Sequence, residues 1–549
     1  MKCQTVLSIF TLALLFAALA ATAQTYVPLY TYPGTTSGST GVGWPALLSQ
    51  GPDGELYSTI ETNGTFNFGT VYKITTAGAY TPLYNFCAEG SPCLLTGGYP
   101  LGGVTLGLDG NLWGTTQNGG KDAMGTVFKI TPAGTWTSLY QFNGTDGSGP
   151  IYPVFSGQDG NMYGVTAFGA HYGIFFKLTT KGAITPHAFI YTNGYEPNLP
   201  TQGSDGNFYG TTQYGGDPTC ACGVVYKVTA GGKITVLHTF KGSPTDGNRP
   251  IGVLVQGSDG YFWGTTYQGG SSGEGTIFKI SVSGAYTLVY SFQYASPTFL
   301  GELPVAGLTL GTDGNLYGVA SRGGTNGYGA IFQVTTGGTV TFLHSFCSVT
   351  GCTDGIVPET PLVQHTNGKF YGTASGNSLC CGVFYSFDMG LPPFTRLPAT
   401  SGKIGATVQF LGQDFTGATS VTFGGTPATS FKIVSDTFLT AKVPVGALTG
   451  VVSIVTSTGT LLGSHNFKVL PAIKSLSVSS GTVGTPVTIS GSGLIQASKV
   501  TFGGVKAAFT VTNDSTIATT VPTGAKAGKV AVTTPGGAAS SPTTFTVTP

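Results

Sequence analysis

The sequence predicts an all-β protein: a seven-bladed β-propeller closed by its N-terminal strand and followed by two immunoglobulin-like β-sandwiches. Three observations predict this fold. A motif recurs seven times in the first two thirds of the chain, glycine supplies 88 of the 549 residues, and two later segments resemble each other. Short strands joined by glycine turns suit this composition better than long helices do.

Residues 1–23 are typical of a secretory signal peptide. A lysine precedes an apolar stretch over residues 6–19, and Ala21 and Ala23 supply the small residues of a cleavage site. The apolar stretch is short for a bilayer span, and no later one has spanning length. We therefore expect a mature chain that begins near Gln24, has no transmembrane segment, and is secreted or held at the cell surface.

The recurring motif occupies residues 24–389, which we expect to form the propeller. Each copy holds an Asp-Gly or Asn-Gly turn between apolar runs, a strong hairpin signal because both turn positions need a positive φ. Successive turns are 46 to 56 residues apart, which is enough for one four-stranded blade each. The turns begin at Asp53, Asp109, Asp159, Asp205, Asp259, Asp313 and Asn367.

The number of fourth strands predicts how the propeller closes. The first six copies each end in a fourth strand, whereas the seventh stops after residues 383–387. Residues 26–32 resemble residues 80–86, which form the fourth strand of the first copy. We therefore expect the N-terminal strand to complete the seventh blade, because closure removes the sheet edges that an open array would expose.

Residues 390–549 follow a different pattern. The pentapeptide Val-Thr-Phe-Gly-Gly begins at Val421 and again at Val500, and each copy continues through a Val-Pro pair to a final strand. We expect one immunoglobulin-like domain over residues 390–470 and a second over residues 471–549. A β-sandwich hosts many roles, so this part of the fold assigns no function by itself.

Two family resemblances follow from these motifs. The recurring unit resembles the GloVer tandem repeats of exported bacterial proteins, over residues 26–388, and the tail resembles IPT/TIG domains, over residues 396–549. The first resemblance implies export and a propeller-like fold without an agreed activity. It also implies a membrane anchor of variable type, which we do not expect here because residues 546–549 include no apolar tail.

Eight cysteines follow the signal segment, and they occur in close local pairs. An even number in an exported chain indicates disulfide bonds. Zinc is the alternative, but the two tightest pairs lack the usual ligand spacing. The expected pairs are Cys87 with Cys93, Cys347 with Cys352, and, through more strained rings, Cys220 with Cys222 and Cys380 with Cys381.

A ligand site is predicted at the mouth of the propeller channel, on the end that carries the longer and more variable loops. The residue before the proline that opens each first strand should line this mouth. Two aromatic and two charged residues among them could stack on and pair with a sugar or a peptide. They are Trp44, Tyr99, Glu196 and Arg249. The alternative is that these side chains simply plug the channel.

Other candidate residues favour structural interpretations. Asp146, Asp246 and Asp354 each precede a glycine in a loop, where they could bind calcium, act as acid–base carboxylates, or cap the turn. We favour the cap, and no other cofactor is expected. His238 and His344 replace a tyrosine of the repeat and are interpreted as packing residues. The sequence holds no serine-hydrolase, zinc-protease or phosphate-loop motif.

Charge divides the chain into two parts. Residues 24–389 hold 12 basic and 19 acidic residues, net −7, and residues 390–549 hold 10 and 3, net +7. An acidic propeller disfavours nucleic acid, whereas a basic tail favours an anionic surface. We expect a binding or adhesion protein that recognises an extracellular polysaccharide or protein, with the tail as spacer or attachment module. Two alternatives stay open: a carbohydrate-active lyase or hydrolase, and a purely structural surface protein.

Overall fold

A computed structural model describes residues 24–32, 46–62, 64–88, 93–169, 172–293, 301–375 and 382–549. Regular structure in these residues is β-strand, apart from two short 3-10 turns, Tyr191–Asn193 and Phe415–Gly417. The all-β prediction is therefore confirmed. In this part of the chain, no helix is long and apolar enough to cross a membrane.

The described residues from Gln24 to Asp388 form a succession of small antiparallel sheets, which we number 1 to 7. The first strand, β1 (Thr25–Thr31), belongs to sheet 7. Sheet 1 comprises β2 (Ser49–Gln50), β3 (Leu56–Ile60), β4 (Thr70–Ile74) and β5 (Tyr80–Asn85). Sheet 2 comprises β6 (Val104–Leu106), β7 (Leu112–Thr116), β8 (Thr126–Ile130) and β9 (Trp136–Gln141). Sheet 3 comprises β10 (Phe155–Ser156), β11 (Met162–Thr166), β12 (Ile174–Leu178) and β13 (Ile184–Ala188).

Sheets 4 to 7 add short strands to the same pattern. Sheet 4 comprises β14 (Tyr195–Pro197), β15 (Thr201–Gln202), β16 (Phe208–Tyr214), β17 (Val224–Val228) and β18 (Ile234–Thr239). Sheet 5 comprises β20 (Val255–Gln256), β21 (Phe262–Thr266), β23 (Thr276–Ile280) and β24 (Tyr286–Ser291), beside a ribbon of β19 (Gly247–Asn248) and β22 (Gln268–Gly269). Sheet 6 comprises β25 (Thr309–Leu310), β26 (Leu316–Ala320), β27 (Ala330–Val334) and β28 (Val340–Ser345). Sheet 7 comprises β29 (Ile356–Pro358), β30 (Val363–Gln364), β31 (Phe370–Ser375), β32 (Val383–Asp388) and β1.

The sequence pattern of each strand follows from its burial. The inner strands, such as β3 and β7, are buried along their whole length, so they read as continuous runs of apolar residues and threonine. The fourth strands, such as β5 and β9, are half-buried or exposed. The inner strands therefore supply most of the core between neighbouring sheets.

The turn aspartates hold more than their own turns. Asp159 accepts hydrogen bonds from the backbone N–H of Asn161 (3.1 Å) and from the hydroxyl of Tyr163 (2.8 Å) on the second strand. It also pairs with the Lys177 ammonium on the third strand (2.7 Å). Burial would raise the pKa of Asp159, but these donors outweigh it and lower the pKa to about 2. The Asp-Gly turn thus joins two strands of its sheet.

The N-terminal strand completes sheet 7, as the strand count predicts. β1 pairs antiparallel with β32, with Tyr26 opposite Phe387. The Tyr26 ring stacks on His344 of sheet 6, with ring centroids 4.0 Å apart, and the Tyr30 ring stacks on Tyr80 of sheet 1 at 5.3 Å. One strand therefore packs against both sheets that flank sheet 7.

A second set of contacts also joins neighbouring sheets, including sheets 7 and 1. At the end of several first strands, a glutamine side-chain oxygen accepts a hydrogen bond from a backbone N–H in the turn of the preceding sheet. The pairs are Gln202 with Gln158 N–H, Gln256 with Ser204 N–H, Gln364 with Thr312 N–H, and Gln50 with Thr366 N–H. The last pair joins sheet 1 to sheet 7, so the succession of sheets returns to its beginning.

The tail forms two sandwiches, each with its own core. The first comprises β33 (Ser401–Gly402), β34 (Thr407–Leu411), β35 (Ser420–Phe423), β36 (Thr426–Pro427), β37 (Phe431–Ser435), β38 (Phe438–Lys442), β39 (Gly450–Thr456) and β40 (Gly459–Val469). The second comprises β41 (Ala472–Leu476), β42 (Ser480–Gly481), β43 (Pro486–Ser492), β44 (Lys499–Phe502), β45 (Val505–Ala507), β46 (Phe509–Asn513), β47 (Thr516–Thr520), β48 (Gly528–Thr534) and β49 (Gly537–Val547).

The first sandwich packs against the end of the sheets that carries the Asp-Gly turns, which we call the turn end. Thr437 donates a hydrogen bond to the Pro52 carbonyl (2.9 Å), and Gln409 donates one to the Leu108 carbonyl (3.1 Å). The buried Arg396 guanidinium donates to the carbonyl of Gln364 (2.8 Å). The first sandwich therefore packs over part of the turn end and leaves cavities of about 370 and 590 Å³ beside it, whereas the described residues of the opposite end, the loop end, make no such contact with the first sandwich.

Candidate functional site

The loop end is built on one backbone arrangement that recurs in sheets 2 to 7. In each sheet, one partner lies just before the proline that opens the sheet, in a loop or in a short strand. It forms a β-bridge with a residue at or just beyond the end of the strand that follows the Asp-Gly or Asn-Gly turn, such as β7 in sheet 2 and β16 in sheet 4. The pairs are Gly98 with Asn118, Ser148 with Phe168, Tyr195 with Tyr214, Asn248 with Gln268, Glu302 with Arg322, and Ile356 with Ser375. The backbone is constant while the side chains differ, which is typical of a recognition surface on a rigid scaffold.

The predicted mouth residues share an unusual backbone conformation. Tyr99, Glu196 and Arg249 have φ values of 60°, 53° and 54°, in the left-handed region that costs a residue with a side chain about 1–2 kcal/mol. Backbone hydrogen bonds hold this conformation in place. The Arg249 N–H donates to the Cys222 carbonyl (3.0 Å), and the Arg249 carbonyl accepts from the Tyr267 N–H (2.9 Å). These positions are therefore fixed relative to the neighbouring sheet.

The structure brings together two of the four residues predicted for the site. Glu196 and Arg249 line one pocket of about 290 Å³ at the loop end. Tyr99 lines a separate depression, where its ring lies 5.5 Å from that of Phe68. Trp44 lies outside the described residues. Tyr99 therefore does not share the pocket of Glu196 and Arg249, whose lining comes from sheets 2 to 5.

The polar lining of this pocket is unpaired. Its side chains include Gln117, Glu196, Gln213 and Arg249, and none of these four forms a side-chain hydrogen bond or ion pair with the described residues. The Arg249 guanidinium lies over the rings of Tyr214 (5.1 Å) and Tyr267 (5.5 Å), and its buried Nε has no acceptor. Arg249 Nε is the sheltered group of this set, and the polar atoms of Gln117, Glu196 and Gln213 stay accessible, so a ligand in the pocket can exchange hydrogen bonds with them.

Electrostatics in the pocket are set by Glu196 and Arg249. Burial raises the pKa of Glu196, and the nearby Arg249 charge offsets part of that rise. Glu196 is the one carboxylate among the described residues of the lining. Glycoside hydrolysis generally uses two carboxylates across the scissile bond, and this lining does not provide that pair.

Sequence reasoning missed half of the polar lining. Gln117 and Gln213 directly follow Thr116 and Thr212, which end the shared part of the second strand. The signal was available: the threonine recurs from copy to copy while the residue after it changes. Only the fold reveals that this variable position faces the same pocket as Glu196.

The loop aspartates accept hydrogen bonds from nearby loop and strand groups, and the buried Asp354 Oδ1 is left without a partner among the described residues. Asp246 accepts hydrogen bonds from the backbone N–H of Gly247 (2.7 Å) and of Lys241 (3.0 Å), and from the Tyr286 hydroxyl (2.8 Å). His238 contacts the same carboxylate (3.0 Å) and stacks on Tyr286 at 3.7 Å. This arrangement favours the turn-capping interpretation over calcium binding. No cluster of three possible metal ligands occurs among the residues that the structure describes.

Three of the four expected cysteine pairs are disulfide-bonded in the structure. The bonds join Cys87 to Cys93, Cys220 to Cys222, and Cys347 to Cys352. Cys380 and Cys381 lie outside the described residues. Cys222 also supplies the carbonyl that holds the Arg249 N–H, so the second bond constrains a segment next to the pocket.

Replacing Cys87 and Cys93 together by serine is expected to lower the free energy of unfolding by no more than about 2–3 kcal/mol, because the bond closes a short loop. Denaturant unfolding of the variant and the parent under oxidising conditions measures the difference. Free thiols at these positions, detected by mass spectrometry of protein from an oxidising compartment, would contradict the bond.

Comparison with protein families identifies the repeat. A model of the Gloeobacter/Verrucomicrobia repeat matches residues 14–171 and 154–385, more than half of the chain. The chain belongs to the Gloeobacter/Verrucomicrobia repeat family. A model of the IPT/TIG domain matches residues 471–547. The resemblance to the repeat family is thereby confirmed, and the IPT/TIG resemblance is confirmed over residues 471–547.

The solved structures that match this chain have low sequence identity to it. Streptogramin B lyase is 16% identical over 66% of this chain and 98% of its own, with a TM-score of 0.44. A gluconolactonase from Xanthomonas campestris is 11% identical over 68% and 99%, with a TM-score of 0.34. A surface glycan-binding protein from Prevotella bryantii is 19% identical over 27% of this chain and 38% of its own, with a TM-score of 0.21. No curated protein matches the sequence as a relative. These likenesses assign no activity.

Proposed function

We propose that this protein is an extracellular binding protein for a neutral glycan, which it holds in the pocket at the loop end. The observation that carries the proposal is the set of four unpaired polar side chains beside two aromatic rings, Phe168 and Tyr214. Such a combination of hydrogen-bonding groups and apolar faces suits a sugar ring, which has hydroxyls around its edge and C–H groups on its faces.

The proposed architecture follows the expected domains. Residues 1–23 act as a signal peptide, residues 24–389 form a seven-bladed propeller, and residues 390–470 and 471–549 form two immunoglobulin-like domains. The closed order of the seven sheets and the two separate tail cores support this division. The three disulfide bonds support an oxidising, extracellular location.

The charges of the pocket favour a neutral ligand. A sugar hydroxyl both donates and accepts, so one hydroxyl can donate to the Glu196 carboxylate while another accepts from the Arg249 guanidinium. An anionic sugar would meet the Glu196 charge and the net charge of −7 over residues 24–389. The volume of about 290 Å³ lies at the small end for ligand pockets, which suits one sugar unit.

Replacing Phe168 by alanine tests this site. The ring is 51% exposed, so the change should leave the fold intact while removing a stacking surface. We expect affinity for a neutral glycan found on a glycan array to fall about tenfold, measured by calorimetry. The matched control is Phe66→Ala, which removes a 41% exposed ring that does not line the pocket.

A second variant, Glu196→Gln, keeps the shape of the side chain and removes the charged acceptor. It should also weaken binding about tenfold or more, because a hydrogen bond to a charged group is worth about 1.5–3 kcal/mol. If no neutral glycan on the array binds the parent protein, or if both variants bind as the parent does, the proposed function is wrong.

A further inference from the structure

A wall of four tyrosines extends from the pocket along the loop end. The Tyr214 ring, which lines the pocket, stacks on Tyr195 with centroids 5.3 Å apart. Tyr195 stacks on Tyr191 at 6.1 Å, and Tyr191 meets Tyr172 edge-on at 6.3 Å. The four rings therefore form one continuous aromatic surface that begins at the pocket.

The fold does not require these rings. Tyr195 and Tyr214 occupy the recurring cross-strand pair of the loop end, and the same place in sheet 2 holds Gly98 and Asn118. Sheet 4 also departs from its neighbours. Its strand after the Asp-Gly turn, β16, is longer than the equivalent strands β11 and β21, and a 3-10 turn carries Tyr191. The aromatic wall is therefore a local addition to a repeating scaffold.

Three of the four hydroxyls of the wall, those of Tyr191, Tyr195 and Tyr214, are available to a ligand. Tyr191, Tyr195 and Tyr214 are half-buried, and their hydroxyls form no hydrogen bond within the described part of the chain. The tyrosines that serve the fold behave differently: Tyr163 and Tyr209 donate to the turn aspartates of their sheets. A tyrosine with a packed ring and an unpaired hydroxyl is typical of binding surfaces.

The pocket is blocked on its inner side. Tyr152 lines it, and the Tyr152 hydroxyl donates to the Asn198 side-chain oxygen of sheet 4 (2.8 Å). Farther in, the first tail sandwich packs over part of the turn end through contacts such as Gln409 to Leu108. A polymer therefore cannot thread through the sheets. One end of the polymer must occupy the pocket, and the rest of the polymer must extend across the loop end of the protein.

We propose that the tyrosine wall binds the successive units of a neutral oligosaccharide whose terminal unit occupies the pocket. This inference rests on the proposed function and adds a length and a direction to it. Because the rings stack on one another, they offer mainly their edges to the sugar units, and the Tyr191, Tyr195 and Tyr214 hydroxyls offer hydrogen bonds. A proline-rich peptide also suits an aromatic groove. The unpaired Gln117, Glu196 and Gln213 at the end of the wall favour a ligand rich in hydroxyls.

The test is calorimetry on the full mature chain with cello-, xylo-, manno- and malto-oligosaccharides of one to six units, and with the parent polysaccharide of any series that binds. Affinity should rise over the first few units and then level. For the polysaccharide, the amount of protein bound at saturation should be proportional to the number of its chain ends and not to its mass.

Variants then assign the gain in affinity to the wall. Tyr191→Ala should lower affinity for a four-unit ligand about tenfold while leaving affinity for the monosaccharide unchanged. Tyr191→Phe should keep most of the affinity, because it keeps the ring. The control is Tyr328→Ala, at a tyrosine that is 45% exposed at the loop end of sheet 6.

Different failures point to different errors. Equal affinity for one and four units, or no effect of Tyr191→Ala at any length, overturns the wall and leaves the pocket standing. Protein bound in proportion to polysaccharide mass overturns end-on binding. The wall does not bind glycans if a polyproline peptide binds the parent, if Tyr191→Ala weakens that binding, and if no oligosaccharide binds. No binding of any oligosaccharide overturns the proposed function as well.

Discussion

Replacing Tyr26 by alanine is expected to lower the free energy of unfolding by about 2–3 kcal/mol, at or just below the range for a fully buried aromatic ring, because this ring is half-buried. The ring stacks on His344 at 4.0 Å and lies 5.0 Å from Tyr385, and its hydroxyl donates to the Asp354 carbonyl (2.6 Å). Its loss opens a cavity between sheets 6 and 7 and leaves that carbonyl without this donor. Equilibrium unfolding in guanidinium chloride measures the effect.

The same strand supplies the control. Val27 is 40% exposed, so Val27→Ala should change stability by less than about 0.5 kcal/mol. Deleting residues 24–32 should have a larger effect than either substitution, because β32 would lose its partner and expose an edge. A Tyr26→Ala protein as stable as Val27→Ala would show that β1 does not hold sheet 7.

Replacing His365 by glutamine is expected to remove an acid-induced loss of stability of about 3 kcal/mol. His365 lies at the turn end, where its Nε2 is 2.9 Å from the Gly54 carbonyl and its Nδ1 accepts the Asn367 backbone N–H (3.1 Å). These contacts hold the neutral ring, since a second proton would displace the Asn367 donor. Burial lowers the pKa of His365 to about 4, and the Arg396 guanidinium of the first sandwich acts in the same direction.

The sign of the pH dependence follows from this shift. Above about pH 6.5 the histidine is neutral in both the folded and the unfolded chain, so its contribution is fully present. Between about pH 6.5 and 4 the unfolded chain takes up the proton first, and stability falls. The pKa of His465 is also lowered, by desolvation and by the Arg396 charge, and it adds to the same trend.

Unfolding free energies at pH 7 and pH 4.5 measure this loss in the parent and in His365→Gln. Between pH 7 and pH 4.5 the parent should lose about 2.7 kcal/mol of stability through this histidine, which is most of the total of about 3 kcal/mol. The variant should not show this loss. Asp159, whose pKa is about 2, titrates below this window and does not obscure it. Equal losses in the two proteins would place the acid sensitivity elsewhere.

Much of the repeat region could be predicted because its signals are local and recur. The Asp-Gly turn, the buried second strand and the close cysteine pair each lie within one copy, and the missing fourth strand pointed to the N-terminus. The position of Glu196 and Arg249 beside one pocket also followed from the repeat. Tyr99 lines a separate depression, since a shared position in the repeat does not say which neighbours share a pocket.

What could not be predicted depends on contacts between distant segments. Gln409 and Thr437 read as ordinary surface residues of the tail, yet they bond to the Leu108 and Pro52 carbonyls of the turn end. Tyr191 lies in a 3-10 turn and Tyr214 at the end of β16, and the two rings are joined through Tyr195. Polar and aromatic residues at such places carry no periodic signal, so only the assembled structure reveals their partners.

The pairing of β1 with β32 also fixes the order in which the molecule can be completed. β1 leaves the ribosome before any other strand, whereas its partner is made after the six intervening sheets. Sheets 1 to 6 can each form from a contiguous segment, but sheet 7 must bring together two distant parts of the chain, which is slow. Until then β1 stays unpaired and the growing array keeps an open edge. A chain interrupted before residue 383 would retain that edge permanently, and association with other copies would be its expected fate.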